Sequence, residues 1–290
     1  MNPRPWWRTL GHGGLLLVAT VYCLFPIYFM LVQSLKTAQE DVFGNPLIVV
    51  HPTFENFAEL FEQAGRPRGF VGNVLRRSYP FLDWLENTIV VFTGAVTVTL
   101  VTGLLAGYAL GRLRPPGFRW WRRVIFATYV IPHTILFVPL YQVVIRLHLD
   151  DNLLALVLVY PTLALPFCVW ILSAYFQQLP REVEEAALVE GAGRLTAFFR
   201  IILPMSRPVV VAAGIFTLGT IASDFTLASV FLLDAHNQTI PAGLATTDVA
   251  LDELLAVAGI NLMAIPIVLI CALFARGYVR GLTAAMIEGA

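Results

Sequence analysis

Charge is scarce in this chain. Asp, Glu, Lys and Arg together make up 13% of its 290 residues, apolar residues make up 58%, and the mean hydropathy is +0.74. A water-soluble domain carries about 25% charged residues, so half that amount leaves too little polar surface to cover a chain of this length. Lipid is the environment that accommodates the excess. Lysine is nearly missing: Lys36 is the only one, and it follows Leu35 at the end of an apolar run. A phosphate-binding loop needs Gly-Lys-Ser/Thr, so ATP chemistry has no place in this chain and would have to come from elsewhere. The three cysteines (Cys23, Cys168, Cys271) lie in apolar runs without a CxxC pair, and the five histidines form no HExxH or other metal-binding spacing. No nucleophile–base pair stands out, so neither an enzyme nor a bound cofactor or metal is expected. The zero formal net charge gives no reason to expect a nucleic-acid partner.

What is present is long apolar runs. Crossing about 30 Å of hydrocarbon takes about 20 apolar residues in a helix. Six stretches qualify: Gly13–Val32, Thr88–Leu110, Val124–Ile145, Leu153–Phe176, Pro208–Leu233 and Leu254–Ala275. Four of them hold no Asp, Glu, Lys, Arg or His, the third holds only His133, and the fifth only Asp224. Lipid cannot satisfy an open backbone, and the runs lack barrel-strand alternation, so helices are expected. The first run is too long for a signal-peptide core and no A-x-A site follows it, so it reads as a retained span.

Arginine placement sets the orientation. With the N-terminus inside, thirteen Lys/Arg face the cytoplasm and six face out, and five of the six fall in one long external segment. Both termini are therefore expected in the cytoplasm. The chain reads as a cytoplasmic N-terminus (1–12), a first span (13–35), an extracytoplasmic segment (36–86) with short helices such as Asn56–Gln63, and a five-helix core (87–290). In the second span Thr99, Gly103, Gly107 and Gly111 recur every four residues, a stripe that lets a neighbouring helix approach closely, within the chain or from a partner.

The segment Pro180–Arg207 differs from the rest. Its acids and arginines keep it out of the bilayer core, yet it is patterned. Pro180 suits a first helical turn, and the acids behind it suit the positive end of a helix. Ala186, Ala187 and Val189 offer a small apolar surface, and Gly191-Ala192-Gly193 breaks the helix. A second amphipathic stretch (Leu195, Phe198, Phe199, Ile202) runs to Pro204. Two short helices joined at a glycine turn are expected on the cytoplasmic face, the first shaped for a groove in another protein.

Here a resemblance becomes specific. Glu185-Ala186-Ala187, three residues, Gly191, nine residues, Ile201, one residue and Leu203-Pro204 match, without a gap, the EAA motif of permease subunits in binding-protein-dependent ABC importers. Ser34-Leu35-Lys36-Thr37, Asn87-Thr88, Ala106-Gly107-Tyr108-Ala109-Leu110, Pro139-Leu140-Tyr141, Pro166-Phe167 and Thr239-Ile240-Pro241-Ala242-Gly243-Leu244 resemble the maltose-type (MalG-like) sugar permeases, in family order across nearly the whole chain. The resemblance implies an all-α integral membrane protein with six transmembrane helices and a cytoplasmic EAA coupling helix, the type I ABC importer fold. It implies that Glu185, Ala186, Ala187 and Gly191 contact an ATPase subunit and transmit its closure. It also implies a bacterial or archaeal plasma (inner) membrane location, a second homologous permease subunit, two ATPase subunits holding ATP and Mg, and an extracytoplasmic solute-binding protein.

Asp224 lies in the middle third of the fifth run, where a charge costs about 2.5–3.5 kcal/mol, so it should face a cavity or hydrogen-bond a neighbouring helix or cap. The resembling permeases read Trp-Asn-Glu-Phe at this place; this chain reads Ala222-Ser223-Asp224-Phe225, which keeps the acid and the phenylalanine but not a tryptophan platform for a sugar ring. Ser223, Asp224 and Phe225 are the candidates for the substrate path, with His133, which lies between Pro132 and Pro139 and has a simpler role in capping a freed carbonyl. The alternative is an ATP-independent secondary transporter or channel, but no internal repeat is visible, and Asp224 and His133 are the only charged or titrating candidates at depth.

Overall fold

The computed structural model describes residues 6–62, 80–246 and 253–286. Every regular element among them is helical. The chain divides into two compact units, Met1–Phe81 with Leu244–Ile265, and Leu82–Gly243 with Pro266–Ala290.

The first unit holds α1 (Trp6–Ser34), α2 (Ala38–Phe43), α3 (Glu55–Glu62) and the first part of a long helix, Glu253–Met286. Only 6% of the most apolar part of α1 is buried by the rest of the chain. A side-chain surface this apolar, left open, is suited to lipid or to another subunit. After Ser34 the backbone turns, and the Asn56 amide donates to both the Ser34 and Lys36 carbonyls, at 2.9 and 2.8 Å. Thr37 caps α2 by accepting from the Glu40 N–H. The short helix expected over Asn56–Gln63 is thus present as α3. Residues 63–79, with Arg66, Arg68, Arg76 and Arg77, lie outside the described residues.

The second unit is built on α7 (Leu153–Gln178), whose most apolar part is 67% buried within the chain. Asn152 starts it by accepting from the Leu154 N–H. Against α7 runs α4 (Phe81–Tyr108), extended by a π turn over Ala109–Leu113 that closes with Arg114 N–H on the Ala109 carbonyl. The small-residue stripe is the seam between them. A Cβ on Gly107 would come 2.8 Å from Leu172 Cβ, and one on Gly111 2.6 Å from the Ser173 carbonyl. The stripe therefore serves packing within this chain.

Two expected spans are not straight. The third consists of α5 (Phe118–Val130) and α6 (His133–Arg146), bent by 99°. Pro132 has no N–H to bond and drives Ile131 to extended backbone, ψ 122°. The fifth stops early: after short segments α8 to α10, defined below, α11 (Arg207–Ala222) ends before Ser223-Asp224-Phe225, and α12 (Thr226–Phe231) restarts the helix. Then α13 (Ile240–Thr246) leads to α14 (Glu253–Met286). Among the described residues, four helices are long and apolar enough to cross a membrane, or up to six if each bent pair counts as one span.

Residues that match the maltose-type pattern meet in space. Asn87 Nδ2 donates to the His236 and Gln238 carbonyls, and Thr88 Oγ1 accepts from Ile240 N–H at 2.8 Å. A Cβ on Gly243 would lie 2.4 Å from the Trp84 ring, so only glycine fits against that indole.

Candidate functional site

α7 gives way to α8 (Arg181–Val189) through Leu179 and Pro180. Glu182 and Glu184 sit in the first turn, at the positive end of the helix. The helix closes with two reverse bonds, Ala192 N–H to the Ala187 carbonyl and Gly191 N–H to the Leu188 carbonyl. This is a Schellman end, which requires left-handed backbone at the residue after the cap. Gly191 supplies it, with φ +91°, and nothing lies within 4 Å of where its Cβ would be. Backbone conformation, rather than crowding, selects glycine there. The second stretch comprises α9 (Arg194–Ala197), a π turn over Phe198–Ile202 and α10 (Leu203–Met205), and bends by 78° into α11.

The four EAA residues do not share a face. Glu185, Ala186 and Gly191 are exposed, together with Val189, whereas Ala187 is buried. Ala187 follows Glu184 by three residues, and both are buried on one face of α8.

The acid that is buried is Glu184, one place ahead of the motif. Its Oε1 accepts from the Tyr108 hydroxyl at 2.6 Å and its Oε2 from Arg112 Nε. Arg112 also donates to the link between α7 and α8: Nη1 to the Leu179 carbonyl at 2.6 Å and Nη2 to the Pro180 carbonyl at 2.8 Å. Burial pushes the Glu184 carboxyl up, but the hydrogen bonds from Arg112 and Tyr108 and the charges of Arg112 and Arg194 outweigh it, holding it below the ordinary 4.5.

At the break after α11, Asp224 is half-buried, and Ser223 and Phe225 are exposed. Asp224 Oδ2 accepts from the Tyr160 hydroxyl at 3.1 Å and from Leu227 N–H at 3.0 Å, which caps α12. The carboxylate thereby offers the backbone an alternative to continuing the helix, the physical reason that α11 ends there. His133, exposed, opens α6 at the other bend and lies within electrostatic range of Asp224. Each of these two sequence candidates thus stands at a helix break.

Residues 100–283 match the family described as the binding-protein-dependent transport system inner membrane component. The chain belongs to this family. The inner membrane ABC transporter permease protein YcjP of Escherichia coli (strain K12) is 30% identical to it, over 97% of this chain and 98% of its own length. The trehalose/maltose transport system permease protein MalG of Thermococcus litoralis is 28% identical, over 97% of each. The sulfoquinovosyl glycerol transport system permease protein SmoH of Agrobacterium fabrum is 29% identical, over 92% of this chain and 89% of its own. A solved bacterial ABC transporter that imports the acidic polysaccharide alginate shares the fold of this permease, with TM-score 0.74 over 96% of this chain and 98% of that one, at 18% identity.

The permease is therefore the multi-pass inner membrane component of an ABC importer that works with a solute-binding protein and with ATPase partners, which carry out the hydrolysis. This membership does not favour the ATP-independent alternative. In the permease, sequence reading missed Glu184, Arg112, Tyr108 and Tyr160. Tyr108 stood within a matched piece of the family pattern, and its spacing of four from Arg112 puts both on one helix face. Nothing local separates Arg112 from its neighbours Arg114, Arg119, Arg122 and Arg123, or Glu184 from Glu182 and Glu185.

Proposed function

We propose that this permease carries a carbohydrate or carbohydrate-like solute, forming half of the translocation path beside a second, homologous permease subunit. Two ATPase subunits hold ATP and Mg, and an external binding protein delivers the solute. The names of its relatives support the substrate class, since they specify trehalose/maltose, sulfoquinovosyl glycerol and diacetylchitobiose, all glycosides. Both termini face the cytoplasm, in keeping with the arginine bias. Asp224, Ser223, Phe225 and His133 line the path, a reading supported by two helix breaks, each of which places polar groups among apolar helices.

Coupling runs through the exposed face of α8. The observation that carries this is the pairing of outward Glu185 and Ala186 with a Schellman end that only Gly191 accommodates. An acidic, small-residue face on a short rigid helix fits a cleft in an ATPase subunit, with Ala187 seating the helix from behind. The test is Gly191→Val in the native complex. The variant is expected to insert and to lose uptake, because a β-branched residue cannot hold that backbone; undiminished uptake would sink the coupling role. Gentle-detergent purification with mass spectrometry checks the partners. An ATPase and a second permease should co-purify and be lost from a Glu185→Ala/Gly191→Val double variant.

A further inference from the structure

We infer that Glu184, Arg112 and Tyr108 form a positioning latch that makes α8 move as one body with the ends of α4 and α7. The stroke of the ATPase then enters the spans through this latch rather than along the chain into α11. This rests on the reading of α8 as the coupling helix.

Three observations converge. First, the polar contacts are built and enclosed: side-chain exposure is 5% for Arg112 and 10% for Glu184. The planar guanidinium reaches three acceptors at once, one on α8 and two on the peptide that joins α7 to α8. The Leu179 carbonyl caps the end of α7 and the Pro180 carbonyl opens α8, so one guanidinium ties the two helix ends together. Second, Tyr108 is wedged between Phe176 of α7 and Phe198 of the second π turn, with ring centroids 6.1 and 4.8 Å away. From that slot its hydroxyl reaches Glu184. Third, α4 and α7 meet without intervening side chains at the same level, where Gly111 faces the Ser173 carbonyl.

The competing route is the chain itself, α9 to α10 and on into α11. It bends by 78°, and the Ser206 N–H takes both the Ile202 and Leu203 carbonyls at the bend. A bend after a three-residue helix transmits a push poorly compared with a buried ion pair. Both π turns, Ala109–Leu113 and Phe198–Ile202, lie at the latch, each displacing the helical register where Tyr108, Arg112 or Phe198 must point.

The test uses the complete complex, with its ATPase subunits and binding protein, in proteoliposomes, and reads solute taken up per ATP hydrolysed. Glu184→Gln and Arg112→Lys keep size but lose the charge or the fork. They should lower that ratio on the order of tenfold while the ATPase still co-purifies. Tyr108→Phe removes one hydrogen bond and leaves the ion pair, so a smaller fall is expected, and it serves if the charge variants do not fold. Ser206→Gly, which loosens the bend instead, should keep the ratio. In a background without the native cysteines, Tyr108→Cys/Glu184→Cys should be uncoupled and regain coupling on treatment with a short thiol crosslinker. A purely structural role would lower yield and leave the ratio intact, which overturns the latch. Loss of the ATPase from Glu184→Gln would also overturn it, by assigning the acid to docking. Absence of an ATPase from the unaltered complex would instead strike the coupling-helix reading itself.

Discussion

Two carboxylates sit among the helices of the second unit, and they are held in opposite ways. Glu184 has a cation and a hydroxyl on its two oxygens and lies in packed surroundings, next to a backbone contact between α4 and α7. Asp224 has a tyrosine hydroxyl and a backbone N–H on one oxygen, no cation bonded to it among the described residues, and exposed neighbours on both sides. A buried charge compensated on all sides is costly to disturb and so behaves as a fixed joint. A half-buried charge at a helix break, where the backbone is already open, can exchange its partners. The first arrangement suits a part that must hold its geometry during a power stroke. The second suits a part that solutes pass.

The largest expected effect removes one side of the compensated pair. Arg112→Ala leaves Glu184 buried without its cation and should destabilise the permease by about 3–5 kcal/mol, whereas Asp224→Asn keeps both acceptor contacts and should lose about 1 kcal/mol or less. Thermal unfolding of the purified complex compares them, and equal losses would erase the contrast. Next, packing differs at the two ends. Gly111→Ala pushes a methyl into the Ser173 carbonyl and should cost about 1–3 kcal/mol. Gly219→Ala in α11 meets open space and should be neutral or slightly stabilising. A smaller effect separates two glycines of one turn. Gly191→Ala, at φ +91°, should lose about 1 kcal/mol, but Gly193→Ala, at φ −70° with no neighbour within 4 Å, should lose nothing measurable. The smallest concerns pH. Because the folded Glu184 carboxyl titrates below 4.5, its contribution is present above that value and is lost as pH falls through the lowered one. The stability gap between the unaltered protein and Glu184→Gln should therefore hold from neutral pH down to the ordinary glutamate range, and close only in stronger acid. A gap that closed at neutral pH would mean the pair is not compensated as described.

Much of the fold was legible in advance. Span lengths follow from bilayer thickness, and the Gly103–Gly111 stripe required a close neighbour, which proved to be α7. Gly191 as a helix stop was readable because glycine adopts positive φ without the steric cost of a Cβ. Less legible were the bends. Pro132 signalled a break, yet a proline inside a helix, such as Pro139 in α6 or Pro266 in α14, produces none as large. Whether a proline bends a span depends on what packs around it.

Composition and periodicity alone determined that this chain lives in lipid, crosses it as helices and carries one patterned, charged segment that stays out of the bilayer core, because hydrophobic transfer and backbone satisfaction act residue by residue along the chain. Tertiary structure alone decided which acid of α8 faces the spans, which of the clustered arginines meets it, and that Tyr160 reaches Asp224. Those two side-chain pairings join residues 72 and 64 positions apart in the sequence. A charge carries no mark of its partner until packing excludes water and leaves one compensating group within reach.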